Sequence, residues 1–183
     1  MTHRVKGTLF VDYVRMVRSR KDADWAKHLP AEDLEYLQQP IRPADWYPME
    51  TFERLGIAIL REIAGGDLDS VRRWGQVSVE ALRMSLPDLI VPGDPRESLM
   101  RMQVLRASFF DFRALEIEYV SDREARIKVA YGMSPVAEEA ASHQTLGFLE
   151  RLAFLAGARQ CQATFVSRSW AGDPVTVIEL HWR

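Results

Sequence analysis

The hydrophobic period of this chain changes after Phe112, and that change limits the fold more than any other feature. Before Phe112, apolar residues recur at about the 3.6-residue period of an amphipathic helix. After it, Leu115, Ile117 and Tyr119 alternate with acidic residues, and a second alternating run follows the turn Ser121–Glu124. A period of two is typical of half-buried strands, so the pattern predicts a hairpin with charged side chains on its solvent face.

A long helix and two further strands complete the predicted sheet. Pro135 opens the helix, which ends at Gly157, and alternating apolar residues predict the last two strands. The sequence therefore predicts an α+β fold in a single domain of 183 residues. Its helical part spans 1–110, and a four-stranded antiparallel sheet with one long crossing helix spans 111–183.

Caps, glycines and prolines divide the first part of the chain into five helices. The predicted helices are Thr8–Ser19, Ala31–Leu37, Met49–Ala64, Leu68–Ser85 and Pro95–Phe109. Asp67 and Asp94 each precede a helix at the position of an N-cap. Prolines surround Trp46 and Tyr47, so we predict that this segment is neither a helix nor a central strand.

Composition and charge are those of an ordinary globular protein and do not favour nucleic-acid binding. Hydrophobic residues make up 47% of the chain, and the net charge is only −2. The richest basic stretch, Arg15–Lys21, is flanked by acidic residues and is interpreted as a solvated helix end. No apolar run reaches the roughly 20 residues of a membrane span. The single Cys161 allows no internal disulfide, so we expect a cytoplasmic protein without membrane association.

No recognisable motif predicts catalysis or metal binding. None of the histidines lies at metal-ligand spacing from another or from Cys161; they are His3, His28, His143 and His181. Ser134, His143 and Asp173 provide the residue types of a catalytic triad, but no G-x-S-x-G elbow is present, and Pro follows Ser134. We therefore expect no catalytic residues and no metal ligands.

Five side chains stand out as candidates for binding. The spacing allows His143 to face inward from the long helix, as a hydrogen-bonded core residue or as a ligand contact. Trp46 and Tyr47 either anchor their proline-rich loop in the core or cover a ligand. Arg168 and Trp170 lie in the last hairpin loop, where they either bind a partner or fold back onto the sheet.

Six short strings are distributed over nearly the whole chain. They are Val5–Phe10, Trp46–Gly56, Ile63–Leu68, Pro92–Pro95, Pro135–Glu139 and Ser169–Pro174. In these strings the chain resembles a family of unknown function that occurs as many paralogues in myxobacteria. The resemblance implies a shared fold but brings no assigned chemistry.

More remotely, the order of elements and the Lys-Gly start of the first helix resemble the heme-nitric-oxide-binding domains and the related 4-vinyl-reductase-type small-molecule-binding domains. The heme version needs a proximal His on the helix before the first strand and a Tyr-x-Ser-x-Arg string for the propionates. Here Ser98–Phe110 contains no His, and Tyr131–Pro135 keeps only the Tyr. The resemblance therefore implies this fold without heme or another cofactor. It also implies a cavity bounded by the Arg106 helix, Tyr131 and His143.

Three functions stay open from the sequence. The favoured one is a non-enzymatic sensor or binding domain for a small, largely apolar molecule. Its predicted ligand contacts are Arg106, Tyr131, His143, Trp46 and Tyr47. The alternative is a protein-interaction or assembly module, with a homodimer as one form, that acts through Arg168 and Trp170. The least favoured is an enzyme with His143 or Tyr131 as its acid or base.

Overall fold

The predicted α+β arrangement is confirmed by the computed structural model, which describes residues 2–183. Residues 2–183 form six helices: α1 Gly7–Ser19, α2 Ala31–Gln38, α3 Met49–Glu62, α4 Leu68–Ser85, α5 Pro95–Ala107 and α6 Pro135–Leu155. Short 3₁₀ turns lie at Trp25–Lys27, Pro87–Leu89 and Ser169–Ala171. The bounds of the five predicted helices of the first part differ from the observed ones by no more than two residues.

Four of the six strands form the predicted antiparallel sheet. The strands are β1 Arg4–Lys6, β2 Trp46–Pro48, β3 Leu115–Val120, β4 Glu124–Val129, β5 Gln162–Ser167 and β6 Thr176–His181. The sheet has the order β3-β4-β6-β5, so the last strand of the chain lies inside the sheet and β5 lies at its edge. Helix α6 crosses from β4 to β5 and packs on the sheet.

The segment around Trp46 and Tyr47 pairs with the beginning of the chain. In this two-stranded ribbon, Val5 lies opposite Tyr47 and Lys6 opposite Trp46. Val5 also forms an isolated bridge with Phe110, just beyond α5. The prediction of neither helix nor central strand is consistent with this separate ribbon, which ties the first strand to the end of α5.

Both predicted N-caps are confirmed. The Asp67 carboxylate accepts the backbone N–H groups of Asp69 and Ser70, each at 3.1 Å. The Asp94 carboxylate accepts the N–H of Glu97 at 2.9 Å, and Pro95 occupies the first turn of α5. These bonds satisfy N–H groups that have no partner within the helix, so the two start points are fixed locally by the sequence.

Helices α4 and α6 touch through their backbones at two glycines. A Cβ added at Gly75 would lie 1.9 Å from the carbonyl oxygen of Gln144, and one added at Gly147 would lie 2.0 Å from that of Arg72. Neither position tolerates a side chain without moving a helix. The glycine contact therefore fixes where α6 stands relative to α4, and with it the positions of the α6 side chains that face away from the sheet.

Candidate functional site

A cleft of about 700 Å³ lies between α1, the second half of α4, and α5. Helix α6 and Tyr131 also line it. Its walls are mostly apolar, with contributions from Leu9, Met16, Phe52, Trp74, Leu82, Met102, Leu105, Phe109 and Phe148. Cavities of roughly 300–1,000 Å³ with apolar walls and few polar groups are typical small-molecule sites. We refer to this space below as the cleft.

Two tyrosines and two α6 side chains supply much of the polar lining. The Tyr13 hydroxyl donates to Oε1 of Gln144 at 2.9 Å. The Tyr131 and Thr145 hydroxyls lie 2.5 Å apart, and Thr145 donates its own proton to the carbonyl oxygen of Ala141. Tyr131 is therefore the donor to Thr145. These bonds hold both phenol rings against α6 and use both phenolic protons inside the protein.

The Tyr13 hydroxyl stays protonated. Burial raises the pKa of Tyr13 well above its ordinary value, and the nearby Tyr131 raises it further, while the positive charge of Arg106 opposes the shift in part. At neutral pH, Tyr13 is consequently a neutral hydrogen-bond donor. A tyrosine acts as a general base only as its phenolate, and the raised pKa of Tyr13 disfavours that form.

Arg106 projects into the cleft from the last turn of α5. Its Cζ atom lies 4.9 Å from the centroid of the Phe148 ring, in a cation–π contact. Asp12 and Arg15 of α1 also line the cleft, and these two side chains are paired with each other at 3.6 Å. Burial raises the pKa of Asp12, and Arg15 opposes that shift. The cleft thus combines apolar walls with one inner cation and one outer ion pair.

The structure brings Arg106 and Tyr131 together in the cleft but not His143, so the prediction that His143 bounds the cavity is wrong. Its ring instead packs against Phe165 at 5.0 Å and near Trp170 at 6.2 Å. Successive helical residues are rotated by about 100°, so Gln144 faces the cleft while His143 faces β5. Nδ1 of His143 is buried without a hydrogen-bond partner, and burial lowers the pKa of this imidazole.

Trp46 and Tyr47 do not line the cleft, and the prediction that they cover its ligand is wrong. Tyr47 is buried, stacks on Phe10 at 4.4 Å, and accepts the backbone N–H of Arg42 on its hydroxyl. Trp46 lies under the Lys6 ammonium at 4.4 Å. Because their strand pairs with β1, Tyr47 packs into the core and Trp46 packs against the ribbon. This geometry matches the alternative interpretation, in which the two residues anchor their loop.

Trp170 folds back onto the sheet, while the Arg168 side chain is exposed. The half-buried indole meets the Phe165 ring edge-on at 5.1 Å. Gly172 has a φ of +104°, and the Asp173 carboxylate accepts the N–H of Arg168 at 2.6 Å, which closes the turn. Gly172 thus supplies the left-handed backbone conformation of the turn and Asp173 its acceptor, and the geometry of Trp170 matches the fold-back interpretation.

Two inner polar residues of the cleft, Tyr13 and Gln144, were not predicted from the sequence. Tyr13 and Gln144 lie 131 positions apart, so no local spacing connects them. A weak signal was present in α6, because Gln144 and Thr145 interrupt a helix that is otherwise rich in apolar residues. That signal identifies polar residues on a buried helix without indicating what they face.

Comparison with solved structures finds the H-NOX fold. An H-NOX protein from S. oneidensis in the Fe(II)NO ligation state matches with a TM-score of 0.66 and 13% identity, over 97% of this chain and 99% of that chain. A mutant H-NOX protein from K. algicida, Fe(II) unliganded, gives 0.62 at 12% identity, over 97% and 96%. A T. Tengcongensis H-NOX mutant gives 0.63 at 14% identity, over 97% of both chains. Such low identities establish the fold alone.

No family model and no curated protein matches the chain. The resemblance to the myxobacterial family therefore stays a prediction, whereas the remote likeness to heme-nitric-oxide-binding domains is confirmed at the level of the fold. Within residues 2–183, no helix combines the length and apolar character of a membrane span. In the same residues, no group of three or more His, Cys, Asp and Glu side chains is placed to hold a metal ion.

The lining of the cleft does not fit a heme held through an imidazole. None of the four histidines lines the cleft; His143 faces β5, and His3, His28 and His181 lie beside carboxylates elsewhere in the fold. The side chains that α5 directs into the cleft are Met102, Leu105, Arg106 and Phe109. The helix that carries the proximal His in the heme version thus presents thioether, alkyl, guanidinium and phenyl groups here.

Backbone N–H groups of the loop that begins at Tyr131 are hydrogen-bonded to carboxylates of the protein itself. The buried Glu138 side chain accepts the N–H groups of Tyr131 at 2.8 Å and Met133 at 2.9 Å. Glu53 accepts the N–H of Ser134 at 2.9 Å. In the resembling heme domains this stretch serves the propionates. Here three of its backbone donors are already bound to internal anions.

Proposed function

We propose that this chain is a non-enzymatic sensor or small-molecule-binding domain whose ligand occupies the cleft. The single observation that supports this function is the cleft itself, a space of about 700 Å³ with predominantly apolar walls. The H-NOX fold is consistent with the proposal, since the similar S. oneidensis protein is described with NO bound to its iron.

The polar groups of the cleft favour binding over catalysis. Both phenolic protons are used in internal hydrogen bonds, and Tyr13 is held neutral by burial. His143, the other acid or base proposed from the sequence, packs against β5 instead of facing the cleft. The cleft therefore offers no paired acid and base, and the groups it does present are suited to orienting a ligand.

We further propose that the ligand is not an iron-ligated heme. The α5 helix supplies no imidazole to the cleft. The N–H groups of Tyr131 and Met133 are bound to Glu138, and that of Ser134 is bound to Glu53. A ligand carboxylate that binds the N–H groups of Tyr131 and Met133 has to displace Glu138. This buried carboxylate would then lose both hydrogen bonds, which is unfavourable. Titration with hemin should accordingly give no sharp, saturable Soret band. A stoichiometric spectrum of five-coordinate or low-spin iron contradicts this part of the proposal.

Binding of Nile red, an uncharged fluorescent probe, tests whether the cleft accepts apolar molecules. We expect saturable binding to the wild-type protein and at least about 10-fold weaker binding to Leu105→Trp, because the added indole occupies the part of the cleft beside Met102 and Phe109. The control is Val166→Trp, which adds the same ring at an exposed position on β5. Unsaturable wild-type binding, or equal binding by both variants, contradicts the proposed site.

A protein-interaction module is the second candidate function, and exposed apolar side chains support it. Met84 on α4 is 87% exposed and Val104 on α5 is 73% exposed. Contiguous exposed apolar surface marks protein interfaces, so this candidate requires that Met84 or Val104 belongs to a larger contact surface. Sedimentation velocity tests the candidate: a dimer that Met84→Lys weakens supports assembly through α4, and a monomer at all concentrations argues against self-association.

A further inference from the structure

We infer that the ligand of the cleft carries an anionic group, a carboxylate in its simplest form, that pairs with Arg106 while an apolar body lies along the walls. This inference rests on the proposed function, because it assigns the chemistry of the ligand that the same cleft binds. It is carried by the environment of Arg106 and by the type of polar atom that the cleft leaves free.

Arg106 differs from the other partly buried basic residues. Seven Lys and Arg side chains among residues 2–183 are partly buried. Five of the seven form ion pairs with carboxylates, namely Arg20, Arg54, Arg72, Lys128 and Arg151. The other two are Lys6, which lies over Trp46 on the outer ribbon, and Arg106. A partly desolvated cation is normally compensated by an anion, and within residues 2–183 none is paired with Arg106.

The geometry of Arg106 leaves its hydrogen-bonding edge available. The Cζ atom of Arg106 lies over the Phe148 ring at 4.9 Å, a contact with the ring face that gives the guanidinium no hydrogen-bond acceptor. Its N–H donors lie in the plane of the guanidinium and form no hydrogen bond with residues 2–183. Planar donors of this kind bind a carboxylate through two parallel hydrogen bonds.

The Gln144 side chain also presents a donor in the lining of the cleft. Gln144 accepts the Tyr13 proton on Oε1, and its Nε2 amide group makes no hydrogen bond with residues 2–183. The nearest carboxylate of the cleft, Asp12, is paired with Arg15 on α1. Among the charged groups of the cleft, the Arg106 guanidinium is thus the one without an opposite charge in residues 2–183, which fits an anionic ligand group and disfavours a cationic one.

The size and walls of the cleft require more than an anion. A volume of about 700 Å³ is far larger than an inorganic ion, and the walls near Arg106 are formed by Met102, Leu105 and Phe109. Burying apolar ligand surface against such walls stabilises a complex by roughly 25 cal/mol per Å² before the costs of association. An amphipathic acid matches both features, because its acidic head can pair with Arg106 and its apolar body can lie against the walls.

Isothermal titration calorimetry with decanoate, decanol and decylamine tests the inference, since the three share one alkyl chain. We expect decanoate to bind the wild-type protein at least about 10-fold more tightly than decanol, from charge-assisted hydrogen bonds, and decylamine to bind no more tightly than decanol. Arg106→Met should remove the preference for decanoate, and Arg106→Lys should retain part of it. Arg96→Met is the matched control, because Arg96 is exposed on the same helix outside the cleft.

The possible results distinguish failure of the inference from failure of the proposed function. Equal affinity of the wild-type protein for decanoate and decanol overturns the inference, as does an equal loss of decanoate binding in Arg106→Met and Arg96→Met. If Nile red still binds the wild-type protein saturably, the proposed function survives that result. Absence of Nile red and alkyl-chain binding overturns both. Should Arg106→Met fail to fold, the comparison of the three probes on wild-type protein and on Arg106→Lys decides the question.

Discussion

Helix α4 packs on α6 with the two backbones in contact, whereas the space that separates it from α1 and α5 is the cleft. Apolar residues are plentiful on both sides, so hydrophobicity alone does not explain the difference. On the closed side, Gly75 and Gly147 let the two backbones touch. On the open side, α4 contributes Ser78, Ala81 and Leu82 to the lining, and these side chains border a space that they do not fill.

The two regions also differ in how their charged side chains are paired. Two ion pairs, Arg72 with Glu150 and Arg151 with Glu80, connect α4 to α6 beside the glycine contact. The bond to Arg151 holds the pKa of Glu80 below its usual value. In the cleft, Arg106 has no carboxylate partner within residues 2–183. Ion pairs therefore join the two helices of the closed interface, whereas the cleft, within residues 2–183, keeps one unpaired cation, Arg106, apart from the Asp12–Arg15 pair of α1.

The largest effect is expected from Gly147→Ala on the closed side. The added Cβ would lie 2.0 Å from the Arg72 carbonyl oxygen, so a helix has to move, and we expect a loss of about 3 kcal/mol in the free energy of unfolding. Urea denaturation measures this loss. The control is Gly56→Ala, whose Cβ meets only a Tyr13 ring atom at 3.2 Å, with an expected change within about 1 kcal/mol. Equal effects of the two substitutions contradict a backbone contact at α4 and α6.

A second difference is expected between a large side chain introduced in the packed core and one introduced in the cleft. Leu149 is fully buried in α6, so Leu149→Trp should cost roughly 2–3 kcal/mol through overpacking. Leu105→Trp places the same ring toward the cleft and should change the free energy of unfolding by less than about 1 kcal/mol. Comparable losses in urea denaturation indicate that the cleft is closed in solution.

A loss of about 2 kcal/mol is expected for Trp170→Ala on the sheet side of α6. The half-buried indole packs edge-on against Phe165, and truncation removes that contact. Urea denaturation and sedimentation velocity should be read together. Unchanged stability with weakened association supports the partner-binding interpretation of this residue, and no change in either measurement contradicts both interpretations.

The smallest effect is a pH dependence due to His143. Burial lowers the pKa of His143, with Glu139 and Asp69 opposing the shift in part. The unfolded state, with a histidine pKa of about 6.5, then binds more protons than the folded state as the pH falls below that value, so stability decreases on acidification. Above about pH 7.5 the contribution vanishes. His143→Gln should flatten the dependence of the unfolding free energy between about pH 5 and 7; an unchanged slope contradicts this assignment.

The sequence was sufficient for the architecture because each element is specified locally. Alternation marked β3 and β4, and the caps Asp67 and Asp94 marked the starts of α4 and α5. One irregularity escaped this pattern: a bulge between Ile117 and Tyr119 turns the Tyr119 side chain outward, and it is half exposed.

The cleft was harder to predict because it depends on how helices are placed relative to one another. His143 and Gln144 are neighbours in the sequence, yet a rotation of about 100° sends one to the sheet and the other to the cleft. The close contact between α4 and α6 fixes that rotation, and it involves Gly75 and Gly147, which are 72 positions apart by numbering. Arg106 and Tyr131 were predicted from the family resemblance and not from their spacing.

Native mass spectrometry of freshly purified protein tests most directly whether the space between α4, α1 and α5 binds a small molecule. We predict one co-purified small molecule per chain on the wild-type protein and on the Val166→Trp control, and none on Leu105→Trp. Protein that is empty and dimeric contradicts the binding proposal and favours an assembly module. A mass increase equal to heme contradicts the proposal that this cleft has lost heme ligation.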